Sequence, residues 1–271
     1  MNILDTLKKT ASSRFVFSKR QKIALGIAGL SSVGALLLYT KIPTDSTRFL
    51  LTALLCILAL CFGSIIGSNK RTAFYKEEAE RLKVMMKDLN PAKYIKLEQE
   101  ALKKASGTEA RTLATLNLAS GYLNNAQPTK ALETVQTLNP RHLTQLHCIL
   151  YYNTAVMSYI SLEDEPNATK YYNLALDLMA KSKNDSLPFY FLLSRIGYLI
   201  YTGSYQEAMQ LLENTEKLQI DQVSAQAIKA FKASIFAQTD KQEDAQRMAK
   251  SLLKNKLMPF TKAIVQGVLD I

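Results

Sequence analysis

Tryptophan is absent from this 271-residue chain, and histidine, cysteine, proline and glycine are all scarce, at 2, 3, 7 and 10 residues. Few glycines and prolines, beside abundant Leu, Ala, Lys and Gln, disfavour a turn-rich β architecture and favour helices. The three cysteines form no CxxC pair, so neither a zinc knuckle nor a dithiol redox site is written in them. Cys56 and Cys61 fall inside an apolar run and Cys148 stands alone, which reads as inert thiols. His142 and His147, five apart beside Arg141, lack the spacing of a metal pair. Phosphate-cradling GxxxxGK[ST] and GxGxxG motifs are missing, as is a GxSxG nucleophile turn. The acidic run Glu163-Asp164-Glu165 precedes Pro166 and Asn167 and reads as a solvated turn between helices. No enzyme signature, resident metal or cofactor is therefore expected.

What is present begins with charge. The formal net charge is +11, but it is unevenly placed. Residues 1–22 hold Lys8, Lys9, Arg14, Lys19, Arg20 and Lys22 against Asp5 alone. Residues 68–104 hold ten basic residues against six acids, while everything after 104 is close to balance, with 16 against 15. A nucleic-acid binder would carry its basic stripe on the folded body. Here the excess flanks two uncharged apolar runs, Ile23–Thr40 and Phe49–Gly67, so anionic lipid headgroups are the expected partners and nucleic acid is not.

Each run is long enough, at about 1.5 Å per helical residue, to cross a hydrocarbon core of about 30 Å. The expected organisation is a basic segment 1–21, a transmembrane helix over 22–40, a short extracytoplasmic loop 41–48 and a second span over 49–67. Residues 1–20, with Ile3, Leu4, Leu7, Ala11 and Phe15 near helical spacing, suit either an interfacial helix or a basic tail. The second span holds eleven Leu, Ile or Phe, worth very roughly −5 kcal/mol of insertion free energy. Gly26, Gly29, Ser31, Ser32 and Gly34 weaken the first. Small residues at Ala24, Ala28 and Ser32, and at Gly63 and Gly67, allow close packing within the hairpin. Leu37 to Lys41 offers no small-x-small cleavage site, which argues against a signal peptide. Lys and Arg counts are high before the first run and after the second, and low between them. The reading is an integral membrane protein, in the plasma membrane if bacterial, with both termini cytoplasmic.

Residues 68–106 predict a juxtamembrane pair of helices, Thr72–Leu89 and Pro91 to about Ala105, divided at Asn90-Pro91 and closed by Ser106-Gly107-Thr108. This pair is either a degenerate first repeat or a stalk. Residues 107–271 follow as a helical domain. Four blocks in it share one spacing. Tyr122 precedes Ala131, Tyr159 precedes Ala168, Leu199 precedes Ala208 and Phe236 precedes Ala245, each by nine positions. Ala119, Val156, Ile196 and Ala233 stand three before the larger residue, and Val135, Tyr172, Leu212 and Ala249 four after the alanine. Alanine lets the second helix of a pair approach the first, the large residue fills the gap beyond, and pairs stack because one alone cannot bury its apolar face.

These residues resemble the tetratricopeptide repeat over about 112–256. The best match is Gly203-Ser-Tyr205-Gln-Glu-Ala208, which keeps the family's Gly-x-Tyr-x-x-Ala turn. The chain departs from the pattern in lacking its Trp and in placing Arg195 and Lys232 at usually apolar positions. The resemblance implies an all-α fold: an α-solenoid of about four helical hairpins, closed by a capping helix over Pro259–Ile271, behind the transmembrane hairpin. It also implies a concave groove lined by the first helix of each pair. That lining would be Leu116, Ser120, Asn124, Asn153, Met157, Tyr190, Leu193, Gly197, Tyr201, Ser234 and Gln238, with burial of these residues by the next repeat or by the chain's own end as the alternative. Some family members grip a carboxylate terminus with groove Lys and Asn side chains. This lining carries almost no charge, so a neutral or apolar peptide segment is the expected ligand. The function so implied is a membrane-anchored adaptor or scaffold for a protein partner. The alternative is a structural or assembly subunit that contacts a larger membrane complex through its spans.

Overall fold

The computed structural model describes residues 73–215, 221–239 and 241–271. The two apolar runs and the basic segment before them lie outside these residues. The described residues are helical throughout, with no strand. Among them no helix is long and apolar enough to cross a membrane. Residues 80–271 form one compact unit, and 73–79 belong to a second, of which only this helical stretch is described.

The helices are α1 (73–86), α2 (Pro91–Lys104), α3 (Thr108–Asn124), α4 (Pro128–Val135), α5 (Gln145–Ser161) and α6 (Glu165–Lys181). They continue with α7 (Leu187–Tyr201), α8 (Tyr205–Thr215), α9 (Gln222–Ala237), α10 (Gln242–Leu253) and α11 (Pro259–Leu269). Local chemistry sets the starts. Asn90 Oδ1 accepts from Lys93 N–H at 3.0 Å, Asp164 Oδ1 from Asn167 N–H at 3.1 Å and Asp221 Oδ1 from Ser224 N–H at 3.0 Å. Each satisfies a first-turn donor that the helix itself cannot. Proline occupies the opening turn of α2, α4, α6, α7 and α11, where its missing N–H costs nothing.

Hairpin ends are equally regular. The turn residue five before Ala131, Ala168 and Ala208 is left-handed: Ala126 (φ 55°), Glu163 (φ 58°) and Gly203 (φ 77°). The next N–H returns to the carbonyl of the large residue, Gln127 to Tyr122 at 2.9 Å, Asp164 to Tyr159 at 3.0 Å and Ser204 to Leu199 at 2.7 Å. This closure satisfies the last carbonyls of the helix and folds the chain back. Across the pairs, Ala131, Ala168, Ala208 and Ala245, and their partners Ala119, Val156, Ile196 and Ala233, are all 0% exposed.

The pair α1–α2 closes in a similar way, with the return bond one residue wider. Leu89 (φ 49°) takes the left-handed place, and Asn90 N–H returns to the Val84 carbonyl at 3.1 Å. Tyr94, five further on and 37 before Ala131, is fully buried where the other pairs have alanine, and Leu82 and Met85 are buried at the matching first-helix positions. A cross-pair hydrogen bond recurs at the same interval: Gln99 Nε2 donates to the Tyr122 hydroxyl at 2.9 Å, and Gln136 Nε2 to the Tyr159 hydroxyl at 3.0 Å. Residues 80–271 thus hold five stacked pairs, the first made by residues 80–86 of α1 with α2 and the last by α9–α10, rather than about four, and the first of them lies within 68–106. Its core departs from the rest in polarity: Glu98, fully buried at the place of Val135 and Leu212, pairs with Arg81 Nε at 2.8 Å.

First helices stack on first helices, α3 on α5, α5 on α7, α7 on α9, and α11 packs on α9 and α10. Val265 and Val268 seal the last pair together with Ala230, Ala233, Ala249 and Leu252. The helix α11 does more than cap, because it also reaches α3. Near it Lys256 Nζ donates to the Asp88 carbonyl, and Gln226 Nε2 to the Lys256 carbonyl at 2.9 Å. Within residues 80–271 the stack therefore curls until its end meets its beginning.

Candidate functional site

On the inner side of this curl lies a cavity of about 490 Å³. Its walls come from the α3–α4 turn (Ala126, Pro128), α5 (Met157, Ile160, Ser161), α7 (Gly197, Ile200, Tyr201), α9 (Phe231, Ser234) and α11 (Phe260, Ala263, Ile264), with Glu163 at the α5–α6 turn. The lining is apolar except for Ser161, Ser234, the Tyr201 hydroxyl and one charge, Glu163. Gly197 gives the cavity depth, because a Cβ there would stand 3.0 Å from Met157 Sδ and Cε and 3.5 Å from Phe231 Cζ. Phe260 and Ile264, one helical turn apart, rest on the cluster of Met157, Ile196, Leu199 and Phe231, so the chain's own last helix supplies one wall.

Of the residues that the family resemblance assigns to the groove, Met157, Gly197, Tyr201 and Ser234 line this cavity. The others lie elsewhere. Leu116, 2% exposed, is core between the pairs α3–α4 and α5–α6, packed with Ala119, Leu132 and Ala155. Asn153 Oδ1 accepts from the Ser194 hydroxyl and pins α5 to α7. Asn124 Nδ2 turns back to the Ser120 carbonyl at 2.9 Å. Tyr190 packs against the cluster of Tyr172, Leu187 and Phe191, Leu193 against that of Ile196 and Leu199, and Gln238 is the exposed C-cap of α9. First-helix placement was the only signal available for these residues, and it does not separate the side of a helix facing the cavity from the side facing the next pair. Phe231, Phe260 and Ile264 escaped sequence reading because α11 crosses the inner side, and nothing local in the sequence marks a long-range contact.

Among the repeat-packing residues, Tyr122, Tyr159, Tyr205 and Phe236 are half-buried against their neighbouring clusters. Tyr159 stacks on Tyr171 at 5.4 Å and Tyr172 on Tyr198 at 3.8 Å between ring centroids. Arg195, at a usually apolar position, reaches Glu207 Oε1 at 2.7 Å and ties α7 to α8. Gly203 takes the left-handed turn conformation.

Electrostatically the cavity mouth is acidic. The Tyr201 hydroxyl is held above its ordinary pKa first by burial and then by the charges of Glu165, Glu163 and Asp164. Elsewhere burial lowers the His147 pKa and raises that of the Cys148 thiol. Among the described residues no three His, Cys, Asp or Glu side chains converge as metal ligands. What the cavity can do chemically is bury apolar side chains and receive a positive charge at its rim. No family model, no curated protein and no solved structure matches the chain.

Proposed function

We propose that the chain is a membrane-tethered adaptor whose tetratricopeptide-like repeats dock a protein or peptide partner on the cytoplasmic side. The observation that carries this reading is the apolar cavity, walled by side chains from successive helix pairs that share one spacing, three of them with the same left-handed turn. The apolar runs Ile23–Thr40 and Phe49–Gly67 supply the tether and the flanking Lys and Arg its orientation. Tethering raises the effective concentration of a partner that is itself at the membrane.

Photo-cross-linking in cells from Tyr201, with Glu213 as a control position, tests the docking site. A partner captured at Tyr201, and lost on Tyr201→Ala, supports the adaptor. An identical partner list with and without the change refutes the cavity as its dock. Replacing residues 23–67 with an unrelated membrane hairpin tests the structural-subunit alternative. Partner capture that survives the swap supports the adaptor, and loss of assembly supports a subunit held through its spans.

A further inference from the structure

The adaptor reading leaves the chemistry of the partner open, and the cavity mouth narrows it. Among the described residues the cavity's one charged wall residue is Glu163, and it is followed by Asp164 and Glu165. Among the described residues none of these three acids is engaged in a salt bridge. Asp164 is occupied as the α6 cap, which leaves Glu163 and Glu165, both exposed, as free negative charge at the rim. The apolar lining of the same cavity includes Met157, Ile200 and Phe231. The chain already lays one segment of matching composition against this site. Around α11, Phe260 and Ile264 face the apolar cluster, while Lys262 is exposed and Lys256 is bonded to the Asp88 carbonyl. A volume of about 490 Å³ lies within the roughly 300–1,000 Å³ of cavities that bury ligands, so it accommodates apolar anchors beside those of α11.

We infer, resting on the adaptor reading, that the partner segment is a cationic amphipathic one. Its apolar side chains enter between Met157, Phe231 and Phe260, and a Lys or Arg beside them meets Glu163 and Glu165. The acids set selectivity and the apolar lining sets affinity, since rim charges act through steering and discrimination more than through burial.

The test uses the full chain in nanodiscs of neutral phosphatidylcholine, where lysines gain little from the lipid, with empty discs subtracted. Two labelled peptides of equal length serve as probes, one with a leucine face and lysines elsewhere, the other with glutamates in place of the lysines. Anisotropy is expected to give about tenfold tighter binding of the lysine peptide, shrinking as salt rises. Combined Glu163→Gln and Glu165→Gln brings the two peptides within about threefold of each other. Ala263→Trp, made at an exposed wall position, removes binding of both, and Ser161→Trp blocks from α5 should the first variant fold poorly. Equal binding of both peptides that is still lost on Ala263→Trp overturns the charge selectivity and leaves the adaptor standing. Lysine preference indifferent to both tryptophans overturns the site. Binding of neither peptide, together with no cross-link from Tyr201, overturns inference and adaptor alike.

Discussion

Single residues in this stack trade backbone conformation against packing, and each trade is measurable. Ala126 is left-handed without being glycine, a conformation costing about 1–2 kcal/mol for an L-residue. Glycine gives back roughly 0.5–1 kcal/mol of that as unfolded-state entropy. Ala126→Gly should therefore stabilise by about 0.5–1 kcal/mol, read as a higher urea midpoint at unchanged slope. The two helical glycines predict opposite outcomes. A Cβ at Gly121 meets Ile95 Cγ1 and Tyr94 Cδ1 at 3.1 Å, and the Tyr94 ring is fully enclosed, so Gly121→Ala should cost about 1–3 kcal/mol. At Gly197 the obstacle is the flexible end of Met157 beside a cavity. The alanine's helix propensity of about 1 kcal/mol then offsets the crowding, and Gly197→Ala should change stability by less than about 1 kcal/mol. Glu98 predicts a pH effect. Burial raises its carboxyl pKa despite Arg81, so the folded state holds that proton more tightly than the unfolded chain. Its contribution to stability falls as pH rises from the ordinary carboxylate value through the folded one, and is flat above. Denaturation of the wild type and Glu98→Gln above the ordinary carboxylate range should differ by that falling slope, on top of a slope common to both from His147, whose pKa burial lowers.

At the scale of elements, what the sequence revealed depended on whether a local rule was obeyed. Asn90-Pro91 and Gly203 are punctuation that physics enforces at one position, and a helix start and a left-handed turn stand there. The alanine spacing was readable because alanine alone satisfies close helix approach at those places, all of them closed to solvent. The first pair stayed open between a degenerate repeat and a stalk because Tyr94 and Glu98 occupy the alanine and aliphatic positions. Its repeat character shows only in the Leu89 turn and in Gln99, which bonds the next pair as Gln136 does. The placement of α11 was half legible. A capping helix over Pro259–Ile271 was expected, whereas its contact with α3 depends on the curvature of the stack. Val265 is sealed against the last pair, so Val265→Asp should cost about 3 kcal/mol or more. Hydrogen exchange should then rise first in α9, α10 and α11.

On the scale of the whole molecule, open repeat arrays unfold by fraying, since each repeat touches only its neighbours. In residues 80–271 the contacts of α11 with α3 and of Lys256 with the Asp88 carbonyl join distant parts of the array. Unfolding of this unit should accordingly follow one transition, with coincident midpoints from circular dichroism and from Tyr fluorescence. Lys256→Ala together with Phe260→Ala should separate those midpoints. The apolar runs at 23–67 were the plainest signal in the sequence, and they fall outside the described residues.

A spring hooked to itself cannot be stretched at one coil. Because tail and head of the array are clasped, widening the inner space at any pair strains every other, so a guest would have to fit the width already there or undo the clasp. Grip and release would then be decided at the clasp, where Lys256 stands four residues before Phe260, itself a wall of the cavity.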